Sequence, residues 1–168
     1  MIGAGCTQLQ DISLVLCTNY YYTAAQRQVV VELGWYSTYT GQCGCFTYTP
    51  EVPYRSLSHS VRKRNKKYIN NGLYYDLENP TGSNFYDDLR GILRYHYVEG
   101  TRIGHYGPQP IPFSLTTTNL QLLFPKYDTP ATLQPSCAQH VGTHQVYRCA
   151  MAQAIHYGLM LNCHTRRY

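Results

Sequence analysis

The strongest constraint on the fold of this chain is a series of β-prone segments and turns over residues 11–50. Residues 11–22 begin with closely spaced aliphatic side chains and end in three consecutive tyrosines, which is typical of a strand. Five residues separate this segment from a second one, 28–40, and that gap is short enough for a hairpin connection. A glycine-containing turn then leads to a third segment, 45–49. The sequence therefore predicts a three-stranded antiparallel meander.

Helical spacing of apolar residues occurs twice after the meander. Phe85, Leu89 and Ile92 recur at helical intervals within residues 85–98 and predict a central helix. A second set of apolar residues, interspersed with alanines, lies along one face of residues 143–162. This pattern predicts a C-terminal helix.

The remaining segments lack a clear periodic pattern. Two prolines precede residues 55–68, which we expect to form an exposed basic loop. Residues 100–136 hold six of the nine prolines, interrupted by an apolar run at 113–124 that predicts one or two short strands. A division of the 168 residues would leave two pieces that are each too small to bury a good core. The prediction is therefore a single domain over residues 1–168 with an α+β, β-rich fold, in which the C-terminal helix packs on the sheet.

Composition favours functions that use an uncharged polar surface. Only 14% of the residues are charged, against about a quarter in an average soluble protein, whereas tyrosine supplies 18 positions. Tyrosine combines an apolar ring with a polar tip, which suits half-buried contacts at interfaces. No stretch approaches the roughly 18 apolar residues that a membrane span requires. These properties favour a non-enzymatic structural or interaction protein that self-associates, such as a virion or other assembly component.

The charge distribution indicates one partner for such a protein. Five of the 14 lysines and arginines lie within residues 62–67, and the net charge of the chain is +5. Closely spaced cations repel one another and gain most from a polyanion, and a tyrosine directly after them offers a ring on which a base can stack. The predicted nucleic-acid-binding residues are Arg62, Lys63, Arg64, Lys66, Lys67 and Tyr68.

A small metal-independent nuclease is the first alternative. Such an enzyme needs a general acid, a general base and a cation for the phosphate, and His96, Arg102 and His105 provide these groups within ten residues. Sequence motifs for phosphate loops, dinucleotide binding, serine hydrolases and zincins are all missing from the chain. The sequence therefore favours a protein without catalytic residues, with this histidine pair as the catalytic alternative.

The cysteines support a second alternative, an extracellular disulfide-bonded protein that binds a ligand. Seven cysteines are many for a cytosolic protein, although an odd number does not close into disulfides. Thiols near imidazoles also bind zinc. No cofactor is required by the sequence, and the candidate zinc ligands are Cys137, His140, His144 and Cys149.

Overall fold

The computed structural model describes residues 12–70, 84–106, 117–120 and 149–165, with the backbone alone for 67–70 and 163–165. Its five strands are β1 (Ile12–Ala24), β2 (Arg27–Ser37), β3 (Cys43–Thr47), β4 (Arg102–Tyr106) and β5 (Thr117–Asn119). Its helices are a 3₁₀ turn (Tyr54–Ser56), α1 (His59–Asn70), α2 (Phe85–His96) and α3 (Ala150–Thr165).

The predicted N-terminal meander is confirmed. β1 pairs antiparallel with β2, and β2 pairs antiparallel with β3. The turn between β2 and β3 contains Gly41 at φ 77°, a left-handed conformation that glycine adopts without a steric penalty. The amide of Gly41 donates to the carbonyl of Ser37 at 2.9 Å, which closes this turn.

The sheet continues beyond the meander with two parallel strands. β4 pairs with β1, and β5 pairs with β4, so that the strand order is β3-β2-β1-β4-β5 and the sheet is mixed. The sequence pattern predicted strands in this region within residues 113–124, where β5 lies, and did not indicate β4 at residues 102–106. Within β4 the aliphatic side chain is Ile103, which is fully buried. The strand is defined by its pairing with β1 rather than by a hydrophobic pattern of its own.

Helices cover both faces of the sheet, which confirms an α+β, β-rich fold with a C-terminal helix on the sheet. Side chains alternate along β1: Val15 and Cys17 belong to a core cluster with α3, whereas Leu14 and Leu16 belong to a cluster with α2. The central helix begins after Asn84, whose side chain accepts hydrogen bonds from two backbone amides of the first turn. Residues 143–148 of the predicted C-terminal helix lie outside the described residues.

The basic segment is a helix, so the prediction of a loop over residues 55–68 is wrong. The 3₁₀ turn and α1 occupy most of this range. Ser58 caps α1, since its carbonyl accepts from the amide of Arg62 at 3.0 Å and its hydroxyl accepts from the amide of Val61 at 3.4 Å. Leu57 and Val61 pack with Tyr21 in a third core cluster. Among the described residues, no helix has both the length and the apolar character that crossing a bilayer would need.

Candidate functional site

One buried side chain holds the basic helix α1 against the sheet. Asn65 is completely buried. Its Nδ2 donates to the carbonyl of Tyr22 at 2.9 Å, and its Oδ1 accepts from the amide of Tyr22 at 2.7 Å. β4 pairs with β1 only as far as Cys17, so the amide group of Asn65 pairs with the backbone of β1 in the way that a neighbouring strand would. The orientation of α1 on the sheet is therefore fixed by two backbone hydrogen bonds.

The cations of α1 lie at or near the protein surface. Lys63, Arg64 and Lys66 are exposed, and Arg62 is half-buried. The described part of the chain contains no hydrogen bond or ion pair to Lys63 or Lys66. The predicted contacts through Lys67 and Tyr68 concern side chains that lie outside the described residues. Two lysines one helical turn apart are thus available to a partner.

Arg64 differs from the lysines because it folds back onto the β1–β2 hairpin. Its guanidinium lies 4.4 Å from the ring centroid of Tyr22, and its Nη1 donates to the carbonyl of Ala25 in the turn. The Tyr22 ring also makes an edge-to-face contact with Tyr20, at 5.8 Å between centroids. Arg64 therefore couples the charged helix to a half-buried pair of tyrosines.

The charge pattern of α1 opposes helix stability. Arg62 and Lys66 are four residues apart and Lys63 and Lys66 are three apart, and like charges at these spacings repel by a few tenths of a kcal/mol per pair. The first turn contains no acidic residue that would complement the helix dipole. Each of these unfavourable terms is relieved when a polyanion binds, so the helix is electrostatically suited to phosphate groups.

A cleft opens on the other side of the same hairpin turn. Its volume is about 590 Å³, and Arg27 from the start of β2 lines it. Aromatic side chains line it as well: Tyr48 and Phe85 contact each other edge to face at 6.0 Å, and Tyr86 is 50% exposed. Glu51 contributes one carboxylate. The cleft therefore combines a cation with rings on which planar groups can stack.

The histidines of the nuclease hypothesis lie on the face of the sheet that α2 covers. The ring of His96 stacks on Trp35 at 4.2 Å between centroids. In the sheet, Leu16 of β1 pairs with Trp35 of β2 on one side and with His105 of β4 on the other. Arg102 donates to the hydroxyl of Thr118 at 2.7 Å and also to a β5 carbonyl. In the described ranges, the two imidazoles and this guanidinium share no hydrogen bond. The structure brings both histidines to one face of the sheet without joining them in a catalytic pair, and the nuclease stays a prediction.

The four cysteines whose side chains the structure describes are thiols. Cys17 and Cys149 are buried, Cys45 is half-buried and Cys43 is exposed. Burial, with a further contribution from Cys149, raises the pKa of Cys17 far above its usual range, so this thiol stays protonated at neutral pH. Three of the four predicted zinc ligands, Cys137, His140 and His144, lie outside the described residues. The zinc site in that form and the extracellular disulfide-bonded alternative both stay predictions.

The geometry adds residues that the sequence pattern did not indicate. Asn65 counts as polar in a hydrophobic pattern but occupies a buried position of α1. A serine such as Ser58 before a helix is a capping signal that could have indicated where α1 begins. Arg27 lies 35 residues before Arg62 in the chain, and no spacing rule connects them. No protein-family model, curated protein sequence or solved structure matches this chain.

Proposed function

We propose that this protein is a non-enzymatic assembly protein that binds nucleic acid through the exposed face of α1. The observation that carries the proposal is the pair of exposed lysines, Lys63 and Lys66, on a helix whose position Asn65 fixes. A rigid helix presents its charges without the entropy loss that an unstructured basic segment would incur on binding. Phosphate contacts from this face supply affinity that does not depend on base sequence.

The cleft beside the hairpin turn favours a single-stranded ligand. A backbone that contacts Lys63 and passes Arg64 reaches the turn that carries Arg27. On the far side of that turn, an unpaired base has Tyr86 and Phe85 available for stacking. Bases in a duplex are stacked on one another and cannot enter such a cleft, so we propose that single strands bind more tightly than duplexes.

Self-association is the second part of the proposal. Tyr39, Tyr86 and Tyr95 are at least half exposed, and Tyr95 reaches 77%. Exposed tyrosines are enriched at protein interfaces because they bury a large area with few rotatable bonds. Sedimentation velocity over a range of protein concentrations, with and without a single-stranded oligonucleotide, measures the subunit number. A monomer under both conditions would remove the assembly role and leave nucleic-acid binding alone.

The binding proposal is tested by fluorescence anisotropy with single-stranded and duplex oligonucleotides at several salt concentrations. The variant is Lys63→Ala/Lys66→Ala. We expect single-strand affinity to fall at least about tenfold at low salt, because two phosphate contacts are lost. The slope of log affinity against log salt should shrink by about 1.4, since each contact with a single strand contributes about 0.7.

The matched control is Arg90→Ala/Arg94→Ala on α2. It removes two exposed cations, as the α1 variant does, so both double variants have a net charge of +3 instead of +5. The control should retain most of the affinity and the full salt slope. Equal losses in the two variants would show that the total charge drives binding, and an unchanged affinity in the α1 variant would refute the proposed interface.

A further inference from the structure

Three potential metal ligands from distant parts of the chain meet beneath the start of α3. They are the carboxylate of Glu32 in β2, the thiol of Cys45 in β3 and the thiol of Cys149, which directly precedes α3. Their ligand atoms all lie within 4.8 Å of one another. None of the three ligands belongs to α1, which carries the proposed nucleic-acid interface.

The convergence follows from one glycine in β2. Gly34 pairs with Cys45 in the sheet, and a Cβ atom on Gly34 would lie 2.2 Å from the backbone of Ala150 and Met151. Without a side chain at this position, the first turn of α3 descends directly onto the sheet. This contact places Cys149 beside Glu32, although the two residues lie far apart in the sequence.

The carboxylate at the centre of the group is completely buried. Glu32 Oε1 accepts hydrogen bonds from the amide of Ala150 at 2.6 Å and from Asn19 Nδ2 at 2.8 Å. The first amides of a helix carry a partial positive charge, which stabilises an anion held against them. The surroundings are therefore built for negative charge in the interior of the protein, where an isolated carboxylate is costly.

We propose that Glu32, Cys45 and Cys149 form a binding site for a zinc-like divalent cation. Two thiolates and a carboxylate match the ligand preference of zinc, and a water molecule completes a tetrahedron in sites with three protein ligands. Ligands about 2.2 Å from a common ion lie about 3.6 Å apart. Because the three ligand atoms lie within 4.8 Å of one another, the contraction that the ion requires is at most about 1.2 Å. Three anionic ligands and one divalent ion leave a net charge of −1, which the N-terminus of α3 offsets in part.

This site differs from the one that sequence spacing indicated. Only Cys149 is common to both sets. Glu32 and Cys45 come from two strands that the turn after Thr38 brings together. Along the sequence, both residues are farther from Cys149 than the spacings of zinc-binding motifs. The ion would join β2, β3 and α3, so its binding free energy adds directly to the stability of the fold.

The test measures zinc and cobalt binding to the full chain. The reduced protein is stripped with a chelator and titrated with Zn²⁺ in competition with a chromophoric chelator. A separate metal-free sample is titrated with Co²⁺ for its thiolate charge-transfer absorption. We expect one ion per chain, a cobalt spectrum indicating two thiolates, and a melting temperature that rises with zinc concentration.

Two variants and one control locate the ion. Cys45→Ser removes a half-buried thiol, and Glu32→Gln removes the charge while retaining an oxygen that accepts from Ala150 and Asn19. Each should weaken zinc binding at least about tenfold. Cys43→Ser changes an exposed thiol in the same strand and should leave affinity unaltered. If Cys45→Ser does not fold, the Glu32→Gln variant still decides the question.

The proposal is overturned if the wild-type chain binds no zinc, or if Cys45→Ser and Glu32→Gln bind it as tightly as the wild type. The second result would place the ion at other cysteines or histidines. The zinc-binding test is independent of the proposed function. The Lys63→Ala/Lys66→Ala variant should lose nucleic-acid affinity but bind zinc as tightly as the wild type.

Discussion

The helices α1 and α3 both pack against β1, but they contribute to the protein in opposite ways. α3 is buried along most of its length: Ala150, Ala154 and Tyr157 have no exposed surface. In α1 the buried side chains among the described ones are Val61 and Asn65. A helix that is apolar on most sides belongs to the core, whereas a helix with one narrow buried edge keeps the rest of its surface available. Changes in α3 should therefore reduce stability, and changes in α1 should mainly alter binding.

The contact between α3 and the sheet gives the largest expected effect. Gly34→Ala places a methyl group 2.2 Å from backbone atoms of Ala150 and Met151, and backbone cannot rotate away as a side chain would. We expect a loss of about 3 kcal/mol or more in the free energy of unfolding, at the upper end of the range for overpacked cores. Urea denaturation followed by circular dichroism measures the loss.

Gly91→Ala is the matched control for this substitution. Gly91 lies inside α2, and nothing lies within 4 Å of the position of an added Cβ atom. Alanine favours helix over glycine by about 1 kcal/mol, so this variant should be more stable than the wild type. If Gly34→Ala were as stable as the wild type, the close approach of α3 to the sheet would be wrong.

The anchor of α1 gives an intermediate effect. Asn65→Ala leaves the amide and carbonyl of Tyr22 without their side-chain partner, and we expect a loss of about 2 kcal/mol in the free energy of unfolding. Hydrogen exchange at the Tyr22 amide should accelerate. Lys63→Ala should change stability by less than about 0.5 kcal/mol, because its side chain is exposed. Equal losses of stability in the two variants would contradict the distinction between the buried edge of α1 and its exposed face.

The smallest expected effect is a dependence of stability on pH, and it originates outside α1. Burial lowers the pKa of His105 in β4 and of His156 in α3 below the usual value of 6.5. The unfolded chain therefore binds more protons than the folded one as the pH falls below about 6.5, so stability decreases on acidification through this range. Urea midpoints at pH 7.5 and 5.5 measure the decrease.

Replacement of both histidines tests this origin. His105→Gln/His156→Gln should reduce the difference between the two midpoints, and the control is the same substitution at His59, which is exposed on α1. If His59→Gln reduced the difference as much as the double variant, the pH dependence would not come from His105 and His156.

The meander could be predicted because its signals are local. β-prone residues are separated by turns of suitable length, and Gly41 occupies the one turn position there with positive φ. The central helix is equally local, since Asn84 supplies the cap and Asp87 and Asp88 lie in the first turn, where they complement the helix dipole. Such signals require only neighbouring residues, so a single sequence contains them.

The errors concern elements whose stability comes from distant partners. α1 has a weak apolar pattern because Asn65 occupies a core position through its bonds to β1. β4 is defined by pairing with β1 across a long crossover. The proposed metal site had one visible signal, the carboxylate of Glu32 between the three valines and Leu33 of β2, but the sequence does not show which cysteines face it.

The pairing of Asn65 with Tyr22 also bears on uncontrolled aggregation. An exposed strand edge offers unpaired amides and carbonyls to any second strand, and such edges are where protein chains add to one another in fibrils. On the stretch of β1 beyond Cys17, the donor and the acceptor of Tyr22 are already occupied by one side chain, beside a helix that carries several positive charges. Two copies that approached through this edge would bring like charges together. Association of two copies through this stretch of β1 is thereby disfavoured.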